Sequence, residues 1–151
     1  NNVANLKNLR QLYLDNNWIV QVPNKMKLPK LEILYLQGNQ LNEMAPIGQL
    51  TKLKRLFLSF NYIETFPNSV FRLHNLEVLE IFGNKITELP NKMSSFKNLT
   101  RLNISNNKIK KITFHVFSHC YHHRVHFYKP QVKIYQEIQS SIVDTNDLHV
   151  P

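Results

Sequence analysis

Cysteine and glycine are scarce in this sequence of 151 residues, and long hydrophobic runs are missing from it. Cys120 is the single cysteine, so no disulfide can form within the chain, and we expect a reducing compartment, the cytoplasm or the nucleus. The three glycines stand singly at positions 38, 48 and 83, which leaves no glycine-rich loop for a phosphate group. Because no run of about 18 uncharged apolar residues occurs, we expect no insertion into a membrane.

Acidic residues are also missing from one long part of the chain, between Glu88 and Glu137. Nine basic residues lie in that interval, and they account for the whole formal net charge of +9, because the other ten balance the ten acidic residues. The nine are Lys92, Lys97, Arg101, Lys108, Lys110, Lys111, Arg124, Lys129 and Lys133. The sequence therefore predicts a basic second half, which attracts acidic groups and orients an approaching partner.

A short pattern of leucine, isoleucine and asparagine occurs five times in register. Written with x for any residue, it is Leu-x-x-Leu-x-(Leu or Ile)-x-x-Asn-x-(Leu or Ile), first at residues 9–19 and last at residues 99–109. Successive asparagines are 22, 22, 23 and 23 residues apart. They are Asn17, Asn39, Asn61, Asn84 and Asn107. Five matches at such regular spacing exclude coincidence and indicate a repeat protein.

Over residues 6–112 the pattern resembles the leucine-rich repeat family, and its periods are similar to those of the short intracellular classes of that family. The resemblance implies an α/β fold, namely a right-handed solenoid with a parallel sheet on the concave face and short helical or 3₁₀ turns on the convex face. It also implies a non-catalytic module that binds other proteins and needs no cofactor. The identity of the partner does not follow, because repeat proteins use one framework for unrelated partners.

Alternation within each repeat explains the sheet. In the segment Leu12-Tyr13-Leu14 the two leucines lie on one face of a short strand and the tyrosine lies on the other. Stacked repeats pair these strands, so that the leucines fill a continuous interior that no single repeat builds alone. Each repeat asparagine follows its strand, where its amide group can satisfy backbone polar groups that lack a strand partner. We therefore interpret the five asparagines as a structural ladder.

The pattern decays after Ile109. We expect residues 1–130 to form the repeat domain, with five full repeats and a degenerate sixth, from about residue 113, as a C-terminal cap. When the repeat alignment is extended beyond Ile109, residues 125–127 (Val-His-Phe) match residues 79–81 (Leu-Glu-Ile). Residues 131–151 form either a tail or an extension of the cap, since Ile134 or Tyr135, Ile138 and Ile142 have helical spacing.

Five of the seven histidines lie between residues 115 and 126. On a helix, His115, His119 and His122 share one face with Cys120 near its edge, and imidazole and thiolate groups are zinc ligands. The repeat alignment places His126 on a strand, which interrupts such a helix, and no second cysteine supports a metal. The alternatives are a metal site and a hydrated, weakly basic cap, and we favour the cap.

The function of a solenoid is expected on the strand face that does not pack inside. In this sequence the outward positions of the first four repeats carry aromatic and aliphatic residues, with arginines beside them. The predicted partner-binding residues are Tyr13, Ile33, Tyr35, Phe57, Phe60, Val78, Phe82, Arg55, Arg101 and Arg124. A contiguous apolar patch is typical of an interface, and aromatic residues are enriched among interface hot spots. We therefore predict that another protein binds in this groove as a helix or an extended peptide with acidic groups.

Two other interpretations compete with protein binding on the concave face. The basic second half, with Phe127 and Tyr128, is compatible with nucleic acid or an acidic protein tail, although no nucleic-acid motif accompanies it. Alternatively, the chain is a structural segment of a larger scaffold, because it lacks an initiating Met and opens within the repeat pattern. Salt dependence distinguishes protein binding on the concave face from polyanion binding, since only the affinity for a polyanion is expected to fall steeply as salt rises.

Overall fold

The computed structural model of the protein describes residues 6–128 and the backbone of residues 134–135. Six short strands form one parallel sheet, in which their order across the sheet follows their order along the chain. They are β1 (Gln11–Tyr13), β2 (Ile33–Tyr35), β3 (Arg55–Phe57), β4 (Val78–Glu80), β5 (Arg101–Asn103) and β7 (His126–Tyr128). A second parallel pair joins β6 (Ile112–Thr113) to β8 (Ile134–Tyr135). Each strand of the larger sheet comes from one repeat, which confirms the predicted solenoid.

The core lies directly behind the larger sheet and continues from repeat to repeat. The middle leucines of β2, β3 and β5, namely Leu34, Leu56 and Leu102, are fully buried. Burial of one such side chain contributes about 1.5–3 kcal/mol. The equivalent Leu12 on β1 is only partly buried, because a neighbouring repeat covers it on one side alone among the described residues. Stacking of neighbours therefore supplies the stability that a single repeat lacks.

Short 3₁₀ turns form the convex side, as predicted. They span Ala45–Gln49, Asn68–Arg72 and Asn91–Ser95. Pro67 and Pro90 hold an extended backbone just before the second and third turns, which fixes where those turns begin. Gly48 allows the first two turns to approach closely, because a Cβ there would lie 2.3 Å from the carbonyl oxygen of Ser69. Large apolar residues of this side, including Met44, Phe71, Met93 and Phe96, are buried in the core.

Asparagine side chains connect successive repeats through their amide groups. In Asn61, Oδ1 accepts the N–H of Leu41 at 2.9 Å, and Nδ2 donates to the carbonyl oxygens of Leu36 and Leu58, each at 3.0 Å. The amide thus bonds to its own repeat and to the preceding one. Asn39, Asn84 and Asn107 have the same arrangement. Within residues 6–128, Asn17 bonds only to its own repeat, at the carbonyl oxygens of Leu14 and Asp15.

The sixth repeat has an α-helix, α1 (Phe114–His122), in place of a 3₁₀ turn. The Thr113 hydroxyl caps this helix by accepting the N–H of Val116. Because the helix takes up more residues than a 3₁₀ turn, the strand partner of Arg101 is His126, 25 residues later, whereas Arg101 follows its own partner Val78 by 23. The predicted alignment of the sixth repeat was therefore wrong by two residues, and Phe127 pairs with Leu102.

The predicted tail or cap extension, residues 131–151, lies outside the described residues except for the backbone of β8. The same is true of Ile138 and Ile142, so the choice between a tail and a cap extension stays a prediction. Among the described residues, no helix combines the length and the apolar character required to cross a membrane.

Candidate protein-binding surface

Three aromatic rings are stacked on the concave face of the sheet. Tyr13, Tyr35 and Phe57 are register partners on β1, β2 and β3, so their side chains leave the sheet in the same direction. Ring centroids lie 4.7 Å apart between Tyr13 and Tyr35 and 4.3 Å apart between Tyr35 and Phe57, with planes inclined by 13° and 5°. We call these three residues the ring stack. Tyr35 and Phe57 are half-buried, whereas Tyr13 is 61% exposed.

A second outward row lies beside the ring stack. Ile33, Arg55 and Val78 are register partners on β2, β3 and β4. Ile33 and Val78 are half-buried, and Arg55 between them is exposed. Within residues 6–128 no carboxylate forms an ion pair with Arg55, since the ion pairs found there belong to other basic side chains. The Arg55 guanidinium is therefore a free cation with an apolar side chain on either side.

Glu80 follows Phe57 in register and ends the row of rings. It is only 8% exposed, and its Oε1 lies 2.5 Å from Nε of Arg101. The Arg101 guanidinium also lies over the ring of Tyr128, 5.6 Å from its centroid. Two side chains of its own protein thus hold Arg101. The predicted contact between Arg101 and an acidic group of a partner would require this ion pair to open.

Arg124 lies away from the position that the sequence predicted for it. The alignment placed Arg124 beside Arg101, but His126 occupies that position, because α1 lengthens the sixth repeat by two residues. Arg124 is instead exposed in the turn after α1, with a φ of 52°. Phe127, which had been assigned to the basic surface, packs against the core. The predicted placement of Arg124 beside Arg101 was therefore wrong, and the contact of Arg124 with a partner stays a prediction.

Phe60 stands at a backbone position where the other repeats have glycine or asparagine. The equivalent residues are Asn16, Gly38, Gly83 and Asn106. All five positions have a positive φ, and the φ of Phe60 is 56°. A bulky residue is unfavourable in this conformation, by about 1–2 kcal/mol. Phe60 is nevertheless 60% exposed, with its ring edge-on to Phe82 at a centroid distance of 5.1 Å, so folding alone does not require a phenylalanine here.

Gly83 leaves room for the ring of Phe60. A Cβ on Gly83 would lie 3.0 Å from Cδ1 of Phe60, and the φ of Gly83 is +67°. We expect Gly83→Ala to lower the free energy of unfolding by about 1–2 kcal/mol and to displace the Phe60 ring. Thermal unfolding measures the first effect, and NMR chemical shifts of the Phe60 ring measure the second. Gly38→Ala is the control, because its Cβ meets Asn16; equal shifts of the Phe60 ring in both variants would contradict the assignment.

Three exposed apolar residues on the loops that follow the strands were not predicted from the sequence. Trp18, Val20 and Tyr62 are 84%, 56% and 49% exposed. The repeat pattern does indicate their exposure. Trp18 and Tyr62 each occupy the variable position x of Asn-x-Ile, between two positions of the pattern that point inward. Lys85 occupies the same place one repeat after Tyr62, and its Nζ lies 4.7 Å from the centroid of the Tyr62 ring. Exposed apolar side chains thus also occur on the loops that follow the strands.

The candidate metal ligands lie on α1. Among the described residues, no three His, Cys, Asp or Glu side chains are grouped so that they hold a metal ion. His115 and His122 are exposed, whereas burial raises the pKa of the Cys120 thiol to about 12. A thiol with this pKa stays protonated at neutral pH and is a poor nucleophile and metal ligand. A cleft of about 600 Å³ adjoins the helix and is lined by Phe117, Cys120, Tyr121, His122, Arg124, Val125, His126 and Phe127.

His119 makes the cap sensitive to acid. Burial, followed by the charges of His123, Lys97 and His115, lowers the pKa of His119 below its usual 6.5. As the pH falls through about 6.5, the unfolded chain binds this proton more readily than the folded chain, so stability is lost. We expect the melting temperature to fall between pH 7.5 and pH 5.5, and His119→Gln to reduce that fall. His122→Gln, at an exposed site, should behave as wild type; an identical pH dependence in all three proteins would contradict this assignment.

Comparison with known proteins agrees with this architecture. The family model for leucine-rich repeats matches residues 7–47, 29–70 and 74–115. A leucine-rich repeat protein of Leptospira interrogans is 31% identical, with a TM-score of 0.71 over 83% of this chain and 32% of that one. Internalin C2 of Listeria monocytogenes shares the fold, at 23% identity and a TM-score of 0.68, over 87% of this chain and 54% of that one.

The chain therefore spans about a third of the Leptospira interrogans protein and about half of the internalin. No curated protein matches the chain. The repeated match to the family model covers most of the sequence, and the sheet has one strand from each repeat. The chain belongs to the leucine-rich repeat family, whose members typically mediate interactions between proteins.

Proposed function

We propose that the protein is a non-catalytic module that binds another protein on the concave face of its sheet. The ring stack is the observation that carries this proposal. Tyr13, Tyr35 and Phe57 present a continuous and rigid aromatic surface, and aromatic side chains lose little conformational entropy when they are covered. Ile33 and Val78 widen this surface on the adjacent row. A contiguous apolar area of this kind is typical of a binding site for another protein.

Phe60 provides a second line of support. A residue that is exposed and costs conformational energy contributes little to the folded state, and such strain is often retained at functional sites. The other repeats avoid the cost with glycine or asparagine. Phe60 follows β3, the strand that carries Phe57, and its ring packs edge-on against Phe82, which follows β4. We therefore include Phe60 among the residues that contact the partner.

Phe60→Asn separates stability from binding. Asparagine occurs at the same position in the first and fifth repeats and tolerates a positive φ, so we expect it to raise the free energy of unfolding by about 0.5–1 kcal/mol. Loss of the ring should simultaneously weaken partner binding by about 1 kcal/mol or more. Chemical denaturation and titration calorimetry measure the two effects. A more stable variant with unchanged affinity would remove Phe60 from the proposed interface.

Binding of a polyanion is the second candidate function. Lys108, Lys110 and Lys111 are all exposed, and none of them is ion-paired within residues 6–128. Such a group attracts nucleic acid or an acidic protein tail without needing the ring stack. Affinity would then fall steeply with salt and with Lys108→Ala, Lys110→Ala and Lys111→Ala combined. Binding through the concave face should survive both changes.

A further inference from the structure

The centre of the concave face combines one free charge with apolar surroundings. Arg55 is exposed and lies in register between Ile33 and Val78, with the ring of Phe57 two residues further along the same strand. A partner that covers the ring stack therefore also covers Arg55. Covering a charge without a counterion is unfavourable, so the partner has to bring a carboxylate to this point.

The other charges of this face do not provide that carboxylate. Glu80 lies in the neighbouring row, but Arg101 already neutralises it. Asp15 is on the first repeat, two strands away from Arg55. Arg101 is itself held by Glu80 and Tyr128. Among the described residues, Arg55 is therefore the unpaired guanidinium of the row that runs from Gln11 to Arg101. A single acidic group on the partner, placed at Arg55, satisfies this face.

The distance between outward side chains on neighbouring strands favours one conformation of the partner segment. Neighbouring rings of the stack lie 4.7 and 4.3 Å apart. An α-helix that crosses the strands presents side chains every turn, or about 5.4 Å. An extended segment in the same direction presents them every second residue, or about 6.6–6.8 Å. The helical repeat exceeds the distance between neighbouring rings by about 1 Å, and the extended repeat exceeds it by about 2 Å. A helix therefore matches three successive strands better.

We propose that the concave face binds an α-helix of the partner that crosses β2, β3 and β4. The helix carries Asp or Glu opposite Arg55, and an apolar side chain one turn before and one turn after it, over Ile33 and Val78. This assignment rests on the proposed function, and it adds the conformation of the bound segment and the position of its charge.

Two displayed peptide libraries test the assignment. One encodes a three-turn amphipathic helix whose middle outward residue is randomised. The other encodes extended peptides of the same length, with the same apolar and randomised residues separated by prolines. Each is selected for binding to the whole chain and to three variants. These are Arg55→Glu, the double variant Tyr35→Ala with Phe57→Ala, and Arg72→Glu, which reverses an exposed arginine on the convex side.

The wild-type chain and Arg72→Glu should enrich Asp and Glu at the randomised position of the helical library by about tenfold or more, and Arg55→Glu should enrich Lys and Arg there. Enrichment of the extended library instead, or the same preference with Arg55→Glu as with wild type, would overturn the assignment and leave protein binding on this face intact. Peptides that bind the Tyr35 and Phe57 double variant as well as wild type would contradict the proposed function itself.

Discussion

Asn61→Leu is expected to lower the free energy of unfolding by about 3 kcal/mol or more. The amide of Asn61 is 4% exposed and joins the second repeat to the third through the N–H of Leu41 and the carbonyl oxygens of Leu36 and Leu58. Leucine has a similar volume but leaves these buried backbone groups unpaired, and each unpaired group costs about 1–3 kcal/mol. Hydrogen exchange should show the loss as local opening of the second and third repeats.

Asn17→Leu is the matched control for this change. Asn17 belongs to the same column, but it is exposed and its hydrogen bonds stay within its own repeat. Chemical denaturation of the two variants should therefore give a much smaller loss for Asn17→Leu. Equal losses would mean that the bonds between repeats do not decide the effect.

Tyr35→Ala and Phe57→Ala should each weaken partner binding by about 2 kcal/mol or more, which is about thirtyfold in Kd. Their rings form the middle and one end of the ring stack, and both are half-buried by their neighbours. The fold should persist in both variants, because these side chains lie outside the core and β2 and β3 keep their inward leucines. Titration calorimetry and thermal unfolding, carried out on the same samples, separate the two effects.

Tyr121→Ala is the control for a nonspecific loss of aromatic surface. Tyr121 is 58% exposed on α1, away from the concave face, and its removal should leave affinity unchanged. Unchanged affinity in the Tyr35 and Phe57 variants as well would exclude the ring stack from the interface.

The sequence predicted the features that recur in every repeat. Leu34 and Leu56 point inward and Tyr35 and Phe57 point outward because alternation along a strand leaves no other arrangement once one face is buried. Pro67 and Pro90 fix the start of two convex turns in the same local way, since the proline ring restricts φ. These features follow from local stereochemistry and from the stacking of similar repeats.

Features that occur once were harder to predict. The two-residue shift at His126 depends on the length of α1, which the repeat pattern does not encode. The pairing of Glu80 with Arg101 depends on side-chain conformations across neighbouring strands, and it changes which arginine is free. Trp18 was not predicted because it lies beyond the strand, after the repeat asparagine. Alternation within Asn-x-Ile nevertheless turns it outward.

The most direct test of protein binding on the concave face is a quantitative pull-down from nuclease-treated cell lysate. The immobilised wild-type chain is compared with the Tyr35→Ala, Phe57→Ala double variant and with Tyr121→Ala, each washed at low and at high salt. We predict proteins that wild type and Tyr121→Ala retain at high salt and that the double variant loses. Retention that disappears with salt or nuclease, and that is the same for all three chains, would contradict binding on the concave face and favour the basic surface.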